Sequence, residues 1–406
     1  MENPYLTADL PGTGGRIKVE HTDFRVEEIP LYAPSGEGQH TYARIEKEGM
    51  TTFQAVDRIA RALRIDRRAI GYAGLKDAHA VTVQTLSLGD VDPAAVRALE
   101  LPGIRILEVS RHTNKLRTGH LAGNRFTVRV REVPEEAQAA VKAILDVLQR
   151  RGVPNYFGVQ RFGLRGDTHL LGEALVHQDA PAFVRRLVGM PDPVESARVQ
   201  AARRLFEEGQ LAAALETWPR DMGNEQRVVE TLLRHPGGWE RAARGVPKNL
   251  RLFFVSAYQS ALFNRLLARR LDTIDQLMVG DLANLRGRSA VFTLEDLAAE
   301  QPRAERMEIS PSGPLYGYKL TMAQGVPGEM EQRVLDEEAL TLEDFRLPGL
   351  RIKGARRPLR VPLDDYRVWY DGGLMLSFTL PPGSYATIVL DEVMKERLDG
   401  AEGTSR

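Results

Sequence analysis

The order of predicted strands and helices along the chain is the feature that most limits its possible folds. Alternating apolar and polar residues, typical of strands, occur at Arg16 to Glu27 and at Arg125 to Arg131, and they return at Tyr366 to Leu380. From Pro154 to about Gly349, helical periodicity dominates instead. A helical middle between strand-rich ends indicates that one domain is inserted into another.

Composition narrows the class of protein. A chain of 406 residues with 43% hydrophobic and 27% charged residues is typical of a soluble protein of two or three domains. No apolar run approaches the roughly 18 residues of a membrane helix, and the N-terminus lacks the pattern of a signal peptide. We therefore expect a cytoplasmic protein with no membrane contact.

The reactive side chains exclude several kinds of chemistry. The chain has no cysteine, which excludes disulfides and thiolate nucleophiles. Its eight histidines lack the spacing of an HExxH motif, so we expect no metal site.

Charge gives a mixed indication about nucleic acid. The formal net charge is zero, with 55 basic and 55 acidic residues, but the basic residues are clustered. A neutral protein can still carry a basic groove that attracts phosphate, and a solvated helix face explains each cluster equally well. The clusters lie at Arg58 to Arg68, Arg105 to Arg117 and Arg351 to Arg360.

A short polar group within the stretch GYAGLKDAHAVTVQ, residues 71 to 84, is the main candidate for chemistry. It consists of Lys76, Asp77 and His79, it follows Gly71 and Gly74, and an alternating segment that predicts a strand comes after it. A carboxylate on a loop held between rigid elements is commonly catalytic. The alternative is a surface turn in which Asp77 caps a helix or pairs with its neighbour Lys76.

This stretch resembles the active-site motif of the tRNA pseudouridine synthase D (TruD) family. Four further stretches resemble motifs of the same family in the same order. They are HTNKLRTGHLAGNRF at 112 to 126, PNYFGVQRFG at 154 to 163, SAYQSALFN at 256 to 264, and FTLPPGSYAT at 378 to 387.

The resemblance implies an α+β fold of two domains. A pseudouridine-synthase catalytic domain, with a mixed and mainly antiparallel sheet and helices, is expected at residues 1–153 plus 355–406. A helix-rich domain specific to the family is expected at 154–354, inserted into the first. The terminal helix is expected from about Ala386 to Leu398.

The resemblance also implies an activity. Members of this family are isomerases that convert a uridine of tRNA to pseudouridine, here expected at position thirteen of the D arm. The reaction requires no cofactor, the expected partner is tRNA, and no protein partner is needed, so we expect a monomer. Asp77 is the essential aspartate by this resemblance, acting at C1′ of the ribose or on the C2′ proton.

Five further residues are candidates for the substrate site. An ionised aspartate in a pocket needs a cation, and Lys18 and Lys76 are the candidates, each of which could instead be a surface lysine. Phe24, Asn124 and Phe378 match substrate-contact positions of the family. Periodicity alone predicts that both phenylalanines are core residues, whereas the amide of Asn124 suits the edge of uracil.

Two other functions stay open on the sequence. One is an RNA-binding or RNA-folding protein with the same fold and no catalytic role. The other is a nucleoside hydrolase in which Asp77 and His79 form an acid-base pair, which would release free uracil.

Overall fold

The chain forms two compact units in the computed structural model, which describes residues 3–288 and 290–396. The discontinuous unit comprises Tyr5–Val153 and Val361–Leu398, with the residues after 396 outside the described part. The other unit, named the continuous unit for its main segment, comprises Pro154–Arg360 together with residues 3 and 4. The sequence prediction put the second boundary between 354 and 355. The assignment of these units as a catalytic domain and an inserted domain stays a prediction.

The discontinuous unit is built around one sheet of eight strands. The strands are β1 (Phe24–Pro30), β2 (His40–Glu48), β3 (Ile70–Tyr72), β4 (Val81–Gly89), β5 (Ile104–His112), β6 (Leu121–Val130), β7 (Asp364–Tyr370) and β8 (Leu374–Leu380). The α-helices are α1 (Thr52–Leu63), α2 (Pro93–Arg97), α3 (Gln138–Arg151) and α4 (Ala386–Met394).

The sheet is mixed but mainly antiparallel. Its order is β7-β8-β6-β1-β4-β2-β5, with β3 paired to β4. Strands β1 and β4 are parallel, and the other strand pairs described in this sheet are antiparallel. The predicted fold class, α+β with a mainly antiparallel sheet, is therefore confirmed.

One face of the sheet is apolar because alternating residues of three neighbouring strands lie in register. Val26 of β1 lies opposite Phe126 of β6, which lies opposite Phe378 of β8. All three side chains are buried, as is the apolar face of α3, which consists of Val141, Ile144, Leu145 and Leu148. A strand pattern of period two thus produces a continuous core layer.

The ends of several helices depend on local chemistry. Thr51 caps α1 by accepting a hydrogen bond from the backbone of Gln54, whose side chain accepts one from Thr51 in return. Helix α3 ends at Gly152, whose φ of 88° favours glycine. Helix α4 ends at Met394, before the predicted end at Leu398, which lies outside the described residues.

The prediction of a strand between Arg16 and His21 is wrong. Only an isolated bridge between Arg16 and Arg131 forms there. Lys18 has a φ of 55°, which lies in the left-handed region and is incompatible with an extended strand. A short 3₁₀ turn at His21–Asp23 then leads into β1.

The continuous unit is mainly helical, as predicted for this part of the chain. Its α-helices are Thr168–Val176, Ala180–Val188, Ala197–Glu207, Leu211–Thr217, Gly223–Arg234, Trp239–Gly245, Lys248–Arg269, Leu297–Glu305 and Gly325–Glu337. A four-stranded sheet has the order Ala355–Pro358, Ile309–Leu315, Leu282–Leu285, Val291–Thr293. Among the described residues, no helix has the length and apolar character needed to cross a membrane.

Candidate active site

Asp77 lies on the loop between β3 and β4, and this loop is fixed at several points. Gly71 is needed before it, because a Cβ there would lie 2.3 Å from the carbonyl oxygen of Leu116. The backbone N–H of Lys76 donates to Thr52 Oγ1 at 2.9 Å, at the start of α1. The backbone N–H of His79 donates to Asp77 Oδ1 at 3.1 Å, an Asx-type turn. The carboxylate is therefore held by its own loop.

Lys18 supplies the counter-charge of Asp77. Its Nζ lies 2.5 Å from Asp77 Oδ2, and the two side chains are 8% and 27% exposed. Burial opposes ionisation of Asp77, but the charge and hydrogen bond of Lys18 and the N–H of His79 hold its pKa below the usual aspartate value. Of the two predicted cations, Lys18 is the one that pairs with the carboxylate.

The left-handed backbone of Lys18 is a strained conformation for a residue with a side chain. This conformation turns the chain directly after the buried residue Ile17. The side-chain ammonium of Lys18 then contacts Asp77. The same ammonium lies 4.8 Å from the centre of the Phe24 ring. Phe24 therefore contacts the lysine that pairs with Asp77. This position is consistent with the prediction that Phe24 is a substrate-site residue.

Three phenylalanines form a row that leads away from Asp77. The ring centres of Phe24 and Phe126 are 6.2 Å apart in an edge-on arrangement, and those of Phe126 and Phe378 are 5.6 Å apart. Phe24 is 5% exposed and Phe378 is 0% exposed. Phe378 thus has no free ring face here, so its burial favours the core interpretation. Stacking of Phe378 on uracil stays a prediction, and it would require the phenylalanine rings to move apart.

Lys76 points away from the carboxylate of Asp77, towards Asn124. Its Nζ donates to Asn124 Oδ1 at 2.9 Å and lies 3.3 Å from Glu28 Oε1. Glu28 Oε2 accepts a hydrogen bond from the backbone N–H of Thr85 at 3.1 Å. Lys76 therefore binds the predicted uracil-contacting amide and a buried carboxylate, which differs from its predicted role as a cation for Asp77.

Lys47 is a residue of this site that the sequence analysis missed. It is fully buried, and its Nζ donates to the carbonyl oxygens of Asp77 at 3.0 Å and Met50 at 2.5 Å. Burial lowers the pKa of Lys47 to about 8, against the attraction of Asp77. It fastens the backbone of Asp77 to the turn before α1.

A signal for the missed residues was present in the strand patterns. In β2 the alternation that buries Ala43 and Ile45 also puts Lys47 on the inner face, and in β1 Val26 and Glu28 share a face in the same way. A charged residue in register with an apolar face needs a buried partner. Phe126 could have been recognised too, because it lies two residues after Asn124 on the same face.

A cavity lined in part by Glu28 does not include Asp77. It has a volume of about 320 Å³ and is lined by Glu28, Tyr32, His120 and Arg125 among others of the discontinuous unit. The Tyr32 hydroxyl lies 3.0 Å from His120 Nδ1. The cavity reaches the Glu28 end of the Glu28–Lys76–Asn124 chain.

Two arginines of the third basic cluster have buried side chains, Arg356 and Arg360. Arg356 is paired with Glu331 at 2.6 Å, and their side chains are 6% and 2% exposed. The guanidinium of Arg357 lies 4.2 Å from the centre of the Phe157 ring, and Arg360 is 1% exposed. The expectation that residues 351 to 360 provide either a phosphate-binding groove or a solvated face is therefore wrong for Arg356 and Arg360.

One group of side chains in the described residues could hold a metal ion. Glu173, His177 and Glu338 of the continuous unit have ligand atoms within 4.8 Å of one another. Glu338 already accepts hydrogen bonds from the Tyr258 hydroxyl and from Arg265, whose charge competes with a cation. The group belongs to a different unit from Asp77.

Comparison with known proteins gives consistent matches over nearly the whole chain. A family model described as tRNA pseudouridine synthase D (TruD) matches residues 1–393. The tRNA pseudouridine synthase D of Geobacter sulfurreducens is 50% identical over 402 residues, which cover 98% of each chain. Its namesake from Geobacter metallireducens is 51% identical over 396 residues, covering 97% of this chain and 98% of the relative.

A solved structure extends this similarity to the fold. A protein from Methanosarcina mazei, assigned as a tRNA pseudouridine synthase D, superposes with a TM-score of 0.86 at 31% sequence identity. The match covers 97% of this chain and 96% of that one.

Proposed function

This chain belongs to the tRNA pseudouridine synthase D family, as its five motifs predicted, and from that premise we propose how it acts. It is an isomerase that converts a uridine of tRNA to pseudouridine. Asp77 is its catalytic carboxylate, and the target is position thirteen in the D arm.

The ion pair between Asp77 and Lys18 is the observation that supports this role most directly. Pseudouridine formation breaks the bond between N1 of uracil and C1′ of ribose, turns the base, and joins its C5 to C1′, while C5 loses its proton and N1 gains one. An ionised carboxylate can attack C1′, steady positive charge there, or remove the C2′ proton, and each of these roles requires the charged form. Lys18 keeps Asp77 in that form while the site is largely shielded from water.

Hydrogen bonds also fix the position of Asp77. Lys47 binds its carbonyl oxygen and the His79 N–H binds one carboxylate oxygen, so the second oxygen is oriented by Lys18. Fixing the carboxylate in one position reduces the entropy that must be lost when the ribose approaches.

Asn124 and Phe24 are the proposed contacts of the base. A base taken out of its stack is usually held by hydrogen bonds to its edge and by contact with aromatic rings. Phe24 lies against the ammonium that binds Asp77, and Asn124 lies beside Lys76, next to Asp77 in the chain. Both are within the discontinuous unit that carries Asp77.

Incubation of the purified protein with an unmodified tRNA transcript tests the activity and its site. We expect one pseudouridine, mapped by chemical modification to position thirteen, and no free uracil. A transcript with cytidine at that position is the control. Conversion at another uridine would contradict the assigned position.

The same experiment separates the two alternatives. Free uracil released in proportion to the loss of uridine would show a nucleoside hydrolase. Tight binding of the transcript with neither product would show an RNA-binding or RNA-folding protein.

A further inference from the structure

The amide of Asn124 has its orientation fixed by Lys76. A lysine ammonium has three donors and no acceptor, so the amide atom it contacts at 2.9 Å must be the oxygen. The other end of the amide, Nδ2, therefore faces away from Lys76. An asparagine without such a neighbour could turn over and exchange the two ends.

Lys76 is itself held in place by a buried carboxylate. Its side chain is 6% exposed and that of Glu28 is 4% exposed, with 3.3 Å between Nζ and Oε1. Glu28 is anchored through Oε2 to the backbone N–H of Thr85. The two charges compensate each other in a place where either one alone would be costly.

The donor end of Asn124 is not used within the protein. Among residues 3–288 and 290–396, Nδ2 has no hydrogen-bond partner, and the side chain is only partly buried. Oδ1 keeps a second lone pair beyond the one that Lys76 uses. Asn124 thus presents a donor beside an acceptor, in a fixed order.

This order complements uracil and opposes cytosine. The pairing edge of uracil carries the N3–H donor beside the O4 acceptor, which match Oδ1 and Nδ2. The same edge of cytosine carries an N3 acceptor beside an N4 amino donor, which would require the amide to be turned over. Turning it would bring Nδ2 against the Lys76 ammonium, donor against donor.

We propose that Glu28 and Lys76 determine specificity for uridine by locking the Asn124 amide in the orientation that reads the N3–H and O4 of uracil. This rests on the proposed function, since it assumes that the target base reaches Asn124. A well-formed contact of two hydrogen bonds discriminates against the wrong base by a factor of about ten to a hundred in binding affinity.

The test measures the equilibrium between the stacked and the flipped target base, once with uridine and once with cytidine at the target position. An RNA with 2-aminopurine beside the target position becomes more fluorescent when the target leaves the stack. The measurement uses Asp77→Asn protein, so that the target uridine is not consumed. With the native Glu28 and Lys76 we expect the flipping equilibrium to favour uridine over cytidine by about ten- to a hundredfold.

The double variant Glu28→Gln/Lys76→Met removes the lock without leaving a buried charge unpaired. We expect its preference for uridine to fall to within about threefold, whereas Lys76→Arg, which still only donates, should keep the preference. Asn124→Asp presents acceptors alone, which match one donor on either base, and it should lose most of the preference for uridine. A purely structural role would weaken flipping of both bases and leave their ratio unchanged, which would overturn the proposal.

The proposed function is checked separately in the same series. If the wild-type protein forms no pseudouridine in tRNA, the proposed function fails. If it forms pseudouridine but the double variant keeps the full preference for uridine, only the inference about Glu28 and Lys76 fails.

Discussion

Replacement of Lys18 by methionine should raise the pH at which the enzyme becomes active. In the wild-type protein Lys18 holds the pKa of Asp77 below its usual value, against the effect of burial. Without the ammonium, burial is opposed only by His79, and the pKa of Asp77 rises. Asp77 then becomes protonated, and inactive, at a higher pH than before.

The size of the shift follows from the contact that is lost. A hydrogen bond to a charged group contributes about 1.5 to 3 kcal/mol, and one pKa unit corresponds to about 1.4 kcal/mol. The acid limb of the rate profile should therefore move up by about one to two pH units. Because 27% of the Asp77 side chain is exposed, solvent screening favours the lower half of this range.

The assay is the single-turnover rate of pseudouridine formation, measured from about pH 4 to pH 8. Lys18→Arg is the matched control, since arginine keeps the positive charge and has the same backbone strain at a φ of 55°. Its acid limb should stay close to that of the wild type. A methionine variant that is slower by the same factor at every pH would refute the role of Lys18 as the counter-charge of Asp77.

Three further predictions concern residues whose burial the structure establishes. Because burial lowers the pKa of Lys47 from 10.5 to about 8, the folded protein binds fewer protons than the unfolded chain between these values. The stability of wild type relative to Lys47→Met should therefore rise by roughly 3 kcal/mol from pH 8 to pH 10.5, measured by denaturant unfolding, and a constant difference would contradict the shift. Phe378→Ala should lower the free energy of unfolding by about 3 to 5 kcal/mol, as a core truncation does, with a loss of melting temperature like that of Leu376→Ala; an unchanged melt with impaired turnover would restore the stacking role. Arg356→Ala should cost about 3 to 5 kcal/mol by leaving the carboxylate of Glu331 buried and unpaired, and an unchanged stability together with a weaker salt dependence of tRNA binding would show an RNA contact instead.

The sequence predicts best those features that depend on neighbouring residues. The cap at Thr51, the end of α3 at Gly152 and the alternation in β6 follow from chemistry within a few positions. The family motifs identified Asp77, Phe24 and Asn124, and the structure brings Phe24 close to the Lys18 that binds Asp77. Their catalytic and binding roles stay predictions.

The sequence predicts least where partners are far apart in the chain. Neither Lys18 nor Lys76 could be chosen as the cation for Asp77, because the choice depends on the left-handed turn at Lys18 and on the pairing of Lys76 with Glu28. Phe378 gave the same alternation whether it packed in the core or stacked on a base. Burial, which arises from three strands in register, favours packing in this structure, and the stacking role stays a prediction.

Asp77→Asn tests the central claim most directly, because the change removes the charge and basicity while keeping the size of the side chain. The rate of pseudouridine formation in unmodified tRNA should fall by far more than about a hundredfold, with unchanged melting temperature and tRNA affinity. Asp92→Asn is the matched control, since an exposed helix cap tolerates asparagine and should keep the wild-type rate. Pseudouridine formation by Asp77→Asn within about a hundredfold of wild type would contradict the assignment of Asp77 as the catalytic carboxylate.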